Sequence, residues 1–385
     1  MSEAIYADSF QQAFTDELDF LQFLKDREEN GTWLTHGTSN IFFHGLDKDS
    51  EITEFLKNEF AGTDKENIVD DTLRNTALAA EINGEFYPVR QTAIKTIFER
   101  ANINGPALRK VSKPVLARIL NDCLQVQKGS ALVRYSEDKI SAVHSGDNSY
   151  AVLEIPELFQ ITGDWIENNF PGYKFSGGTY EHAMATALWE IDDHDDLIKS
   201  YTDFLDKHSI SHGNISFGLR LTTSDVGIYG ANLYPMLFSD SSPNVISLGH
   251  SIKTTHRNSA NLAAFKEKLD DLFPQLSIAI GKLKELAEVE VNYPLDCMGN
   301  ILKKIRIPKK MALEALEFFK STNGTNPCTA HDIYFGICHV IFLTECETNS
   351  GLRIADMEEN VARALSLLAS KRRLADYDVP GSFTW

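Results

Sequence analysis

The spacing of apolar and polar positions changes character twice along the chain. Residues 9–29 place Phe10, Phe14, Leu18, Leu21 and Leu24 at three- and four-residue steps, the signature of one helical face. Asn30-Gly31 then supplies a stop. A short strand is expected at Ile41-Phe42-Phe43, and helical spacing returns near 49–60, 66–82, 90–101 and 114–127. Pro114 suits the first turn of the last of these, where a missing N–H costs nothing. From residue 129 the period shortens. Ala131–Tyr135 and Lys139–Val143 flank a polar Ser-Glu-Asp turn and predict a hairpin. A helix near 156–169 precedes strand-like runs punctuated by Gly172, Gly177 and Gly178, through Tyr180–Ile191. A helix near 194–207 leads to a strand at Ile215–Thr222, and 224–258 reads as irregular β structure with long connections. Beyond Asn258 every segment is helical in spacing: 259–289, 296–305, 308–320, 329–346 and 354–373.

These patterns predict an α+β protein in three parts: a mostly helical N-terminal region over 1–128, a β-rich central domain over 129–258, and a helical C-terminal region over 259–385. A chain of 385 residues can bury one large core or two to three ordinary ones. No internal repeat or low-complexity tract interrupts it.

Composition adds a compartment. No apolar run approaches the roughly 18 residues that span a bilayer, and the N-terminus lacks the basic and apolar regions of a secretory signal. Five cysteines, odd in number and far apart, fit reduced thiols rather than a disulfide framework. The expectation is a cytoplasmic protein with no membrane partner.

Charge changes the picture more. The net charge is −18, yet residues 1–71 hold 17 Asp/Glu against 5 Lys/Arg, a balance of −12 that leaves only −6 for the rest. Acidity argues against a polyanion partner only where it is local, because phosphate binding needs positive charge at the contact. Lys303, Lys304, Arg306, Lys309 and Lys310 put five cations within eight residues. Arg109, Lys110, Lys113 and Arg118 form a second group, and Arg363, Lys371, Arg372 and Arg373 a third. The first two groups are the candidate nucleic-acid-binding residues; the alternative is a solvated helix face.

Other clusters have structural readings beside the chemical ones. Asp192-Asp193-His194-Asp195-Asp196 offers divalent-cation ligands, but adjacent side chains diverge, and acids also cap helix N-termini. Cys328, His331, Cys338, His339 and Cys346 raise the question of zinc, yet no C-x-x-C pair exists and apolar neighbours favour core packing. Thr35-His36-Gly37-Thr38 is similar to the short His-Gly-Thr stretch of ADP-ribosyltransferases over four residues; a turn beside a strand is the alternative. Phosphate-loop, dinucleotide, nucleophile-elbow and zinc-protease motifs are all absent from the sequence, so no catalytic residue, metal or cofactor is assigned.

Three segments together carry a family resemblance. The first is Lys139–Ser145 with Tyr150 and Ile155-Pro156-Glu157-Leu158-Phe159; the second is Thr223-Ser224-Asp225-Val226-Gly227 with Ile252 to His256; the third is Thr329-Ala330-His331-Asp332-Ile333-Tyr334 with Glu345. In this order, over about residues 130–365, the chain resembles the phage- and plasmid-type domain-of-unknown-function family of bacterial mobile elements. The resemblance implies a bacterial host cytoplasm and a role in DNA maintenance, recombination or contests with host defence. Two functions are therefore expected. One is a non-enzymatic, nucleic-acid-associated protein, with Tyr135, Tyr150, Tyr173, Tyr180 and Tyr229 as candidate stacking residues. The other is an inhibitor or adaptor that engages a basic host protein through residues 1–71. The C-terminal helical faces offer a surface for pairing between copies.

Overall fold

The computed structural model describes every residue except 1–3, 148, 171, 192–194, 211, 258–259 and 349. Its class is α+β, as the periodicities predict. The largest unit is a seven-stranded antiparallel sheet in the order Gln11–Phe14, Tyr173–Glu181, Met184–Ile191, Ile215–Thr223, Ala231–Ser239 and Ser242–Ser247, with Ile252–Thr254 also paired to Ala231–Ser239. Adjacent positions on the central strand show that helices cover both faces. Leu219 lies opposite Trp189, whose indole donates to Glu17 in the helix Glu17–Glu29 and whose ring meets Phe159 in the helix Ile155–Asn169. Arg220, one residue on, reaches Glu345 and Glu358 in the helices Ala330–Glu347 and Gly351–Leu368 on the other side. Side chains alternate along a strand, so these contacts mark opposite layers.

A second core lies between two three-stranded sheets and two helices. Gly31–Gly37, Ser130–Ser136 and Lys139–Ser145 form one sheet; Ile41–Gly45, Leu78–Ile82 and Glu85–Pro88 form the other. Val89 and Ile140 bridge them, and Ala93–Arg100 and Lys113–Val126 close the apolar centre. Packing does not follow the three-part order of the chain. The sheet joining 31–37 to 130–136 crosses residue 128, and the larger core mixes Phe20 and Leu24 with Trp189, Leu283 and Val361.

Local departures from the expected elements have identifiable causes. Residues 9–29 do not form one helix: Gln11–Phe14 is an edge strand, and Asp16 ends it by accepting from the backbone N–H groups of Leu18 and Asp19. Leu18, assigned to the apolar face, is 77% exposed. The helix expected over 66–82 stops at Asn75, Ala77 turns the chain at φ +48, and Leu78–Ile82 is a buried strand. The β structure expected over 224–258 takes the form of three laddered strands, Ala231–Ser239, Ser242–Ser247 and Ile252–Thr254, with a register shift between Leu237 and Ser239. The hairpin expected over 131–143 forms, and Glu137 and Asp138 at φ +54 and +56 supply the turn that matches strand twist.

The seam between the cores is ionic. Arg27 pairs with Glu137 and donates to Ser136 and Tyr180. Lys139, with no solvent exposure, lies 3.0 Å from Asp8 and also pairs with Asp71, while Arg90 lies 3.4 Å from Asp8. Arg134 reaches Glu28 at 3.2 Å and Asp225 at 3.7 Å. Each buried charge is thus paired, the condition under which burial is tolerated. Among the described residues no helix is long and apolar enough to cross a membrane.

Candidate nucleic-acid interface

Beside this seam, where Tyr150 bonds the backbone of Asp225, lies a cleft of about 680 Å³. One wall is the helix Ala93–Arg100 with the end of strand Lys139–Ser145; the other is the loop after Thr223 and the residues after Thr254. Ser224 shapes that loop, its hydroxyl accepting from the N–H groups of Val226 and Ile228. The turn that follows needs glycine. Gly227 sits at φ +72, and a Cβ there would lie 2.6 Å from Cε1 of His144 and 3.0 Å from Cε2 of Tyr150.

The inner wall is a column of rings. Tyr150 stacks on His144 at 3.8 Å and 6°, and on His256 at 5.0 Å and 12°. Trp33 stands 5.5 Å from Tyr150, and the Arg134 guanidinium lies over the Trp33 ring at 5.6 Å. Tyr150 donates to the backbone oxygen of Asp225. His256 is held between the carbonyls of Ala151 and Tyr229 at 3.0 and 3.1 Å. Burial lowers His144 to about 4, with His256 and Lys95 adding repulsion; burial lowers His256 as well. Burial favours the neutral form of His144, and the two carbonyls fix the His256 ring, so the column is a braced wall of the cleft.

Positive charge comes from around it. Lys95, Arg100 and Arg257 line the cleft against one carboxylate, Glu99. Lys95 and Glu99 lie 3.9 Å apart and both are mostly exposed, a pairing worth little in water. Arg100 is braced by the Thr38 hydroxyl and the carbonyls of Lys128 and Ser130, while its Nε has no partner. No ion pair engages Arg257 among the described residues. Ser145, Ser149 and Thr255 add hydroxyls. Cations and hydroxyls around a concave surface are the chemistry that holds phosphate oxygens.

The residues singled out in the sequence are placed elsewhere. Lys303 and Lys304 end the helix Pro294–Lys304, Arg306 follows at φ +66, and Lys309 and Lys310 begin the helix Lys309–Asn323. All five are exposed, but Lys310 is 2.7 Å from Glu347 and 3.9 Å from Glu314, and Lys303 donates to the carbonyl of Thr384. Arg109, Lys110 and Lys113 lie against the smaller core beside Leu108 and Val111, so the two clusters belong to different cores. Neither cluster lines the cleft. Of the five tyrosines only Tyr150 does. Tyr180 is buried against Arg27, Tyr135 packs on Tyr87, Tyr173 donates to Glu17, and Tyr229 bonds Asp356.

Asp192, Asp193 and His194 lie outside the described residues; Asp195 opens the helix Asp195–Lys207. His331 pairs with the Tyr201 hydroxyl at 2.7 Å and His339 with Asn244 at 2.6 Å, while burial pushes the Cys338 thiol up to about 12. No cluster of three metal-ligating side chains occurs among the described residues. His36 ends a strand, in contact with the Tyr135 hydroxyl.

Sequence reasoning missed Lys95, Arg100, Arg257 and Trp33. They stand singly along the chain, and no local density marks them. The segments that carry the family resemblance do converge, however. His144, Ser145, Tyr150, Gly227 and His256, from the first two, all line the cleft. The third fastens helix to sheet: Thr329 and Asp332 form a capping box, Tyr334 donates to the carbonyl of Ser247, and Glu345 holds Arg220. No known family matches the chain, and no curated protein or solved structure is significantly similar to it.

Proposed function

We propose that this protein binds nucleic acid through the cleft between its two larger cores, as a non-enzymatic accessory to DNA maintenance or recombination in a phage- or plasmid-type element. The observation that carries the reading is the concentration of Lys95, Arg100 and Arg257 in one concave site of a chain whose net charge is −18. Because the ring column is closed on its own faces, contact runs through the backbone of the nucleic acid and is tolerant of sequence.

The alternative, a partner-capturing role for residues 1–71, draws on less free charge than the sequence count suggests. Asp8 and Asp71 neutralise Lys139, Glu28 meets Arg134, Asp16 caps a helix and Glu17 accepts from Trp189.

Fluorescence anisotropy with a labelled oligo-dT across a salt series tests the proposal. Binding is expected at low salt, and log affinity should fall with log salt by about 0.7 for each phosphate neutralised. Lys95→Glu with Arg257→Glu should weaken binding at least about tenfold, two reversals at phosphate contacts, whereas Lys303→Glu with Lys304→Glu should change it little. Absence of binding at low salt, or indifference to the first pair, overturns the reading.

A further inference from the structure

A second cavity, of about 710 Å³, lies on the far side of the larger sheet. The helices Asp195–Lys207, Lys309–Asn323 and Ala330–Glu347 enclose it with the hairpin Ala231–Ser239 and Ser242–Ser247. The volume is within the range of small-molecule sites. Its chemistry differs from that of the cleft, because no Lys or Arg lines it.

Two buried polar pairs define what it offers. Tyr201 and His331 bond at 2.7 Å, and His339 Nδ1 donates to the amide oxygen of Asn244 at 2.6 Å. With that oxygen engaged, no hydrogen bond occupies the NH2 group of Asn244 among the described residues, and its side chain lines the cavity. His339 is clamped by Phe318, whose ring lies flat on it at 3.9 Å and 10°, so the amide is held in one orientation. Burial lowers His331 and His339, favouring their neutral forms. Asp332, the lining carboxylate, spends one oxygen on the Thr329 N–H and hydroxyl in the capping box. Phe318, Phe319 and Phe335 supply flat apolar surface.

An anion would find no Lys or Arg here, and of the remaining lining imidazoles, His208 and His212, the second already faces Asp206 at 3.2 Å, so the anion's desolvation would cost several kcal/mol in an apolar setting. A purely aliphatic ligand would strand the Asn244 amide. A flat, uncharged ring with hydrogen-bonding edges meets both constraints. We propose that this cavity is a binding site for an uncharged planar nitrogen heterocycle of the nucleobase or nucleoside class, held against the phenylalanines with an edge acceptor on the Asn244 amide. The inference is independent of nucleic-acid binding at the cleft.

The probes are adenosine, guanosine, cytidine and uridine, titrated calorimetrically into the full chain, with the monophosphate of whichever binds. At least one nucleoside should bind saturably, one per chain, and its monophosphate at least tenfold more weakly. Asn244→Asp keeps an acceptor for His339 but removes the NH2 donor, and should weaken binding tenfold or more. Thr322→Trp, on an exposed helix end at the rim, should block entry without touching the buried pairs. No nucleoside binding, undiminished binding in a folded Thr322→Trp protein, or a monophosphate that binds as tightly as its nucleoside would overturn the assignment.

Discussion

Gly227 shows how one backbone position shapes the cleft. Its φ of +72 falls where L side chains are strained, and the His144–Tyr150 pair leaves no room for a methyl group. Gly227→Ala should therefore destabilise the protein by about 1–3 kcal/mol, from overpacking plus left-handed strain. The same change should weaken oligonucleotide binding by shifting the loop that carries Ile228 and Gly230. Urea titration and anisotropy on the same sample check both; an unchanged urea midpoint would mean the ring column yields. Of the basic groups the sequence drew into view, Lys310 is held in an ion pair. Its partner Glu347 is 37 residues away, and nothing near Lys310 in the chain announces it.

At the scale of elements, the helix Gly351–Leu368 is pinned to the sheet by one buried arginine. Arg220 lies 2.6 Å from Glu358 and 2.8 Å from Glu345. Burial pushes the Glu358 carboxyl up to about 7, with Arg220 opposing and the like charges of Glu345 and Glu359 adding. A carboxyl whose folded pKa exceeds its unfolded one contributes stability below the unfolded value, about 4.5, and loses it as pH rises through about 7. The loss is ~3 kcal/mol at most, since each tenfold difference in proton affinity between the folded and unfolded chains is worth about 1.4 kcal/mol. Glu358→Gln should flatten this slope between pH 5 and 8; equal slopes in urea midpoints for the two proteins would show that Glu358 is ionised throughout. Several element boundaries were legible locally. Asn83-Gly84, at φ +56 and +87, is a strong hairpin signal, and it joins the buried strand Leu78–Ile82 to the strand Glu85–Pro88. Helical spacing over 66–82 obscured it, because a short apolar strand and a buried helical turn look alike in periodicity.

For the whole molecule, the acidic front region is part of the structure and not an appendage. Gln11–Phe14 adds an edge strand to the large sheet, Phe20 and Leu24 enter its core, and Asp8 and Asp71 neutralise Lys139 across the seam. Removing residues 1–71 would expose that core, take away the ion-pair partners of Lys139 and Arg90, and leave Arg134 with Asp225 alone, which costs several kcal/mol per unpaired ion. The truncated chain should lose its cooperative thermal transition by circular dichroism. A folded truncation with an unchanged Tm would show that the seam does not carry stability.

The α+β class, the 131–143 hairpin, the C-terminal helices and the uneven charge were determined by the sequence alone. Each depends on residues within one or two turns of each other, so local periodicity and turn chemistry suffice. The pairing of 31–37 with 130–136, the ionic seam, and the meeting of Lys95, Arg100 and Arg257 with His144, Tyr150 and His256 were decided only by the tertiary structure. These contacts join residues tens to more than a hundred positions apart. They are set by which apolar faces bury together, and no single segment contains that information.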